Sequence, residues 1–139
     1  MREVFLRYLL DTNIISYWMR GDKSVLEKIQ TYNPCDMLIS SVSLAEILYG
    51  IEKSPVRKKE RRKKIDAICS LLEILPFDKS ATETYAVIRA YLEKQGSPIS
   101  ERDTQIAAIA LANNLCVVTH NTKEFERVPE LKTEDWAEH

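Results

Sequence analysis

Tyr8-Leu9-Leu10-Asp11-Thr12-Asn13 is a stretch in which a strand hands the chain over to a helix, and the hand-over falls on a carboxylate. Behind it, Val4 to Leu10 is an apolar run broken only by Arg7, the composition of a buried strand. Ahead of it, Ile14-Ile15 and Tyr17-Trp18-Met19 continue as a helix. In open α/β sheets the edge where strands give way to helices is where ligands bind. Asp is also among the best N-cap residues, and its charge suits the helix dipole. Asp11 alone therefore reads as a cap as readily as a ligand. The choice turns on whether other acids arrive at the same edge.

The rest of the chain repeats the alternation. Gly21-Asp22-Lys23-Ser24 is a turn, with Ser24 placed to cap a short helix carrying Val25, Leu26 and Ile29 before Asn33-Pro34 ends it. Met37-Leu38-Ile39 reads as a second strand, followed by a helix from Leu44 to Ile51 whose sole polar side chain is Glu46. A helix apolar nearly all round is buried or lines a site, and Glu is rarely buried without a partner. Ser43-x-x-Glu46 also fits a capping box. Pro55 is placed to open the next helix, which carries seven basic residues among the eight of 57–64 and then the stripe Ile65, Ile68, Cys69, Leu72. Such a run is a solvated face or a phosphate-facing patch; Arg61, Arg62, Lys63 and Lys64 are the candidates for nucleic-acid contact. Without interleaved aromatics, base stacking there is not expected.

Ile74-Leu75-Pro76-Phe77 reads as a third strand, and Asp78 caps the helix 79–93, which Gly96 and Pro98 close. Ser100-Glu101-Arg102-Asp103 opens another helix with box spacing, and alanines on its Asp103 face allow close packing on a sheet. Leu115 to Thr119 is a fourth strand, His120-Asn121-Thr122-Lys123-Glu124-Phe125 a further strand-to-helix turn, and the segment before Trp136 a last edge strand. The pattern predicts a three-layer α/β/α fold with a mostly parallel sheet of four to five short strands, one domain over 1–139.

Composition narrows the function. A net charge of -1 and a pI near 6.2 exclude a wholesale polyelectrolyte binder. Three isolated cysteines (Cys35, Cys69, Cys116) predict free thiols in a reducing compartment, and with His120 and His139 they form no zinc spacing. Arg2, Glu3, Arg7 and Asp11 break up the N-terminal apolar letters, and no run approaches a membrane span; the expectation is a cytoplasmic protein.

In a parallel sheet the strand ends that feed helices share one edge, so Asp11, Glu46, Asp103 and the Asn121 turn are expected to converge there. Two carboxylates about 4 Å apart repel by about 4 kcal/mol at an effective dielectric near 20. Three together protonate one member or hold a cation, and oxygen-only ligands favour Mg²⁺ or Mn²⁺. Such a site suits phosphodiester hydrolysis. No nucleophile elbow or phosphate-binding glycine loop competes with it. A receiver-type phosphoacceptor reading of Asp11 would want a second acid beside it, where Asn13 stands. His120 is either an acid–base assistant or a bystander of the turn.

Leu9-Leu10-Asp11-Thr12-Asn13, Val42-Ser43-x-x-Glu46 with Tyr49-Gly50, Asp103-x-x-Ile106-Ala107-Ala108 and Val118-Thr119-His120-Asn121-x-x-Glu124-Phe125 together resemble the PIN-domain ribonucleases, and among them the VapC toxins of type II toxin-antitoxin systems. Leu75-Pro76-Phe77-Asp78, Gly96-x-Pro98-Ile99 and Arg127-Val128-Pro129 are similar to the branch that cleaves initiator tRNA in the anticodon loop. The likeness runs from Tyr8 to Trp136. It implies a metal-dependent endoribonuclease in which Asp11, Glu46 and Asp103 hold Mg²⁺ or Mn²⁺, with Thr12 and Thr119 beside them. Many PIN domains carry a fourth acid where this chain has Asn121; Glu124, one turn on, is the candidate substitute, or else the box partner of Asn121. Also implied are a homodimer and a VapB-type antitoxin covering the site, with Tyr17, Trp18 and Tyr49 as candidate contacts. A PIN-like domain that binds RNA or protein without cutting is the alternative; it would more naturally have lost an acid.

Overall fold

The computed structural model describes residues 6–137. Val4, Phe5 and His139 lie outside them. Five strands form one sheet: β1 (Tyr8–Leu10), β2 (Met37–Ser40), β3 (Glu73–Leu75), β4 (Cys116–Val118) and β5 (Thr133–Glu134), ordered β3-β2-β1-β4-β5 with every pair parallel. Alternate residues of a strand face opposite sides, and here each side is covered. Tyr8, Leu10, Met37, Ile39, Cys116 and Val118 pack into a core shared with α1 (Thr12–Met19), α2 (Lys23–Gln30), α3 (Ser41–Glu52) and α4 (Lys58–Leu71). Leu9, Leu38 and Val117 pack into a second core with α5 (Lys79–Lys94), α6 (Glu101–Ala112) and α7 (Thr122–Phe125). The three central strands are buried on both faces, which is why they read as unbroken apolar runs.

Strand order reverses beside β1: the chain builds outward through β2 and β3, then returns to β1's other side with β4. Sheets of this kind bind ligands at that reversal, beyond the carboxyl ends of the strands. Leu10 pairs with Val118 at the end of the ladder, and Asp11 N–H continues it to the Val118 carbonyl at 2.8 Å. Asp11 and Thr119 are thus the first residues past the two strands that flank the reversal.

Several local expectations need correction. The second helix is capped by Asp22, whose carboxylate accepts from Val25 N–H and also from the Ser24 hydroxyl; Ser24 lies inside the helix. Helix α3 begins at Ser41, with Ser40 accepting from Ser43 N–H, so Ser43 and Glu46 form no capping box. Pro55 does not open α4: Arg57 takes a left-handed conformation (φ 49°) and the helix starts at Lys58. The third strand sits earlier than Ile74–Phe77, at Glu73–Leu75. Asp78 does cap α5, with its carboxylate accepting from Ala81 N–H. Cys116 is buried, Cys69 half-buried and Cys35 exposed; all three are free thiols.

Candidate active site

Asp11 is the centre of the site because of where β1 stops. Its backbone caps the sheet ladder and its side chain caps α1, one carboxylate oxygen accepting from Thr12 N–H at 2.8 Å. The other oxygen accepts from the Thr119 hydroxyl, also at 2.8 Å. Thr119 in turn accepts from Asn121 N–H at 2.9 Å, so the residue after β4 is wired to the residue after β1. The cap reading and the site reading of Asp11 are both true of the same side chain. It is 4% exposed. Burial raises its pKa to about 6; the bonds from Thr119 and Thr12 pull it down, and the charges of Asp103 and Glu46 push it further up.

Glu46 reaches the site from the interior of α3. The Thr12 hydroxyl lies 3.0 Å from Ser43 Oγ and 3.3 Å from Glu46 Oε1, so its one proton is shared between them. Oε2 of Glu46 pairs with the Arg102 guanidinium at 3.4 Å. Asp103 comes from the first turn of α6, which is entered from α5 through residues 95–100, so no strand end delivers it. Ser100 caps that turn by accepting from Asp103 N–H. The Asp103 carboxyl is also held above its ordinary pKa, first by burial and then by Glu124 and Glu46, against hydrogen bonds from Ser100 and Asn121.

A cavity of about 550 Å³ is lined by Asp11, Glu46 and Asp103 together with Thr12, Asn13, Ser16, Tyr17, Arg20, His120 and Asn121. The three carboxylates thus share one wall-to-wall space at the sheet reversal. Among the described residues, no three Asp, Glu, His or Cys side chains stand close enough to enclose an ion by themselves. Mg²⁺ does not need such a cage: it keeps several waters and commonly takes one or two carboxylates plus substrate phosphate. Oxygen donors on a roomy cavity, with Asp11 short of compensating positive charge, fit a hard divalent cation.

The supporting residues divide. Thr12, Thr119 and Asn121 are at the site; Asn121 Nδ2 donates to Asp103 Oδ2 at 3.4 Å. Asn121 makes no side-chain cap on α7, so the box with Glu124 is absent, and Glu124 acts on Asp103 through its charge. The basic run is largely committed. Arg61 turns inward, its guanidinium donating to the carbonyls of Gly50, Ile51, Ser54 and Val56. Arg62 pairs with Asp66, and Lys64 with Glu60. Lys63 is exposed.

Ser43, expected in a box, instead takes the Thr12 hydroxyl. Two residues that the sequence did not single out are also here: Arg102 holds Glu46, and Asp135 accepts from or pairs with His120 Nδ1 at 2.9 Å while the His120 ring meets Tyr17 edge-on. Arg102 carried a signal in its place beside Asp103; Asp135, in the tail, carried none.

Comparison with known proteins follows the same lines. Residues 8–131 match the family described as PIN domain. A protein of Shigella flexneri named tRNA(fMet)-specific endonuclease VapC is 38% identical over 132 residues, which is 95% of this chain and 99% of that protein. Ribonuclease VapC2 of Rickettsia felis is 38% identical over 136 residues, 93% and 97% of the two chains. The crystal structure of VapBC2 from Rickettsia felis, bound to a DNA fragment from their promoter, superposes with a TM-score of 0.87 at 37% identity, covering 94% of this chain and 99% of that one.

Proposed function

Since this chain belongs to the PIN-domain family, among its VapC ribonucleases, we propose that Asp11, Glu46 and Asp103 form the catalytic centre of a metal-dependent endoribonuclease toxin acting on RNA. The observation that carries this is the meeting of three carboxylates around one cavity at the sheet reversal, with Asp11 buried and its pKa raised to about 6. Asp11, Glu46 and Asp103 would hold Mg²⁺ or Mn²⁺, which when bound lowers the pKa of an attacking water and neutralises charge on the phosphate. The chain's own part is to aim these carboxylates. Thr119 fixes one oxygen of Asp11 and the α1 amide fixes the other, while Asn121 steadies Asp103. We read residues 1–139 as one domain.

For the substrate we follow the naming of the Shigella flexneri relative and propose initiator tRNA, cut in the anticodon loop. A cytoplasmic location goes with that substrate and with three free thiols. Among the described residues no helix is long and apolar enough to cross a membrane. By analogy with the solved VapBC complexes we propose a VapB-type antitoxin as partner, and from the family resemblance a homodimer as the toxin's own state. We assign the antitoxin to a groove next to the acidic cavity, of about 560 Å³ and lined by Met19, Ile47, Ile51, Arg57 and Lys64, and to another beyond it lined by Trp18, Leu26, Ile68 and Leu71. Trp18 therefore belongs to the groove and Tyr17 to the acidic cavity, whereas Tyr49, 62% exposed, lies toward Arg102 on the other side of Glu46.

The test is cleavage of a bacterial tRNA pool by purified, antitoxin-free protein with Mg²⁺, Mn²⁺ or EDTA, beside Asp11→Asn. Metal-dependent cutting, lost by at least about a thousandfold in the variant, with fragment ends in one anticodon loop, is the expected result. Folded protein that cuts nothing with either metal would favour a domain that binds without cutting.

A further inference from the structure

The two oxygens of Glu46 are both engaged, and neither partner is a carboxylate's natural one in a metal site. Oε1 takes a share of the Thr12 proton at 3.3 Å, and Oε2 faces Arg102 Nη1 at 3.4 Å. Arg102 stands one residue before Asp103 in the first turn of α6, so the backbone that delivers one carboxylate to the cavity also delivers a fixed positive charge to the far side of Glu46, in the neighbouring cavity. Its side chain is 62% exposed, against 32% for Glu46, and the two side chains line a second cavity together with Ser41, Val42, Ala45, Tyr49 and Gln105. This is consistent with the spread of the three carboxylates, none of which forms a closed cage with the other two.

We propose that Arg102 is an internal counter-ion of the site: it holds Glu46 while no cation is bound, must give it up when a divalent ion enters, and then turns its guanidinium to a phosphate of the RNA. The inference rests on the metal-dependent nuclease reading above. Its chemistry is plain on both sides. An arginine cannot be titrated away, so a cation seeking Glu46 competes with a permanent charge. An exposed guanidinium one carboxylate away from a phosphodiesterase cavity, once released, has its best remaining acceptor in a phosphate oxygen. A long, exposed ion pair is a weak one, so the release costs little and the pair can serve as a movable contact instead of a structural tie.

The experiment is Mn²⁺ binding without RNA, by isothermal titration and by the electron paramagnetic resonance signal of free Mn²⁺, for the wild type, Arg102→Gln and Arg102→Lys. The expected result is Mn²⁺ bound roughly 5- to 10-fold more tightly by Arg102→Gln, with the difference shrinking as salt is raised, and Arg102→Lys close to wild type. At saturating Mn²⁺, Arg102→Gln should raise KM for RNA severalfold with kcat little changed. Equal Mn²⁺ affinity in wild type and Arg102→Gln, or a lysine variant that behaves like glutamine, overturns the counter-ion role while leaving the metal site standing. Wild type that binds no Mn²⁺ removes the metal reading itself and this inference with it. An unchanged KM overturns the turn toward phosphate. Circular dichroism and thermal melts of both variants, which alter an exposed side chain, show that they are folded.

Discussion

At the scale of single residues, Asp11 carries opposing demands. A carboxylate with its pKa raised to about 6, chiefly by burial, is one whose surroundings favour the neutral form. Its unfolded value is near 4. Because the folded state binds the proton more tightly, Asp11's contribution to stability is fully present below about pH 4 and is lost as pH rises through about 6. Two pKa units correspond to about 3 kcal/mol. In EDTA, Asp11→Asn should therefore be more stable than wild type by up to about 3 kcal/mol at pH 7, and the gap should close below about pH 4; urea melts across that range measure it, and a gap independent of pH would show that burial of the charge is not the cause. Asn keeps an oxygen for the Thr12 amide that Asp11 now accepts from. On the proposed reading, substitution removes a destabilising charge and the catalytic function together, the trade expected where a site is built for chemistry instead of for stability.

Among elements, α4 divides its charge between two tasks that its letters do not distinguish. Arg61 closes the end of α3 and the link behind it through four carbonyls, a job for a planar, five-donor group. Arg61→Met should cost about 2–3 kcal/mol in a urea melt, since several charge-assisted bonds to main-chain carbonyls vanish. Lys63→Gln should cost nothing measurable. RNA contact, by contrast, is proposed for Arg62, Lys63 and Lys64: Arg62 and Lys64 are held by exposed ion pairs, and Lys63 is exposed. Changing those three to Gln should flatten the slope of log affinity against log salt by about 2 for single-stranded RNA, measured in EDTA to prevent cutting; an unchanged slope makes that face a solvated one. A basic run tells of charge, and which member folds back depends on carbonyls that only the tertiary structure brings within reach. Capping shows the same limit. Asp78 and Ser100 were legible as caps because the helices after them have clear stripes, whereas Ser24 and Ser43 sit among several polar letters, and the backbone geometry chose Asp22 and Ser40 instead.

Taken whole, the molecule is organised by the return of the chain to β1. The strands were legible from composition, since a parallel strand buried on both faces is apolar throughout. The expectation that strand ends place the acids was right for Asp11 and incomplete for Asp103, which depends on how α6 packs after α5, a tertiary matter with no local signature. The tail was legible as an edge strand, but its depth was not: Trp136 is buried, stacked on Tyr32 at 4.9 Å and tilted against Tyr8. Trp136→Ala should cost about 3–5 kcal/mol in a denaturant melt, although the residue lies far from the acidic cavity in sequence and belongs to the last described turn of chain. The bond from Thr119 to Asp11 joins residues 108 positions apart. A ribosome adding about 5–20 residues per second needs roughly 5–20 s to go from one to the other. Through that interval the nascent chain has its first carboxylate and lacks the hydroxyl and strand that orient it, so the site is assembled only after most of the described fold has been made.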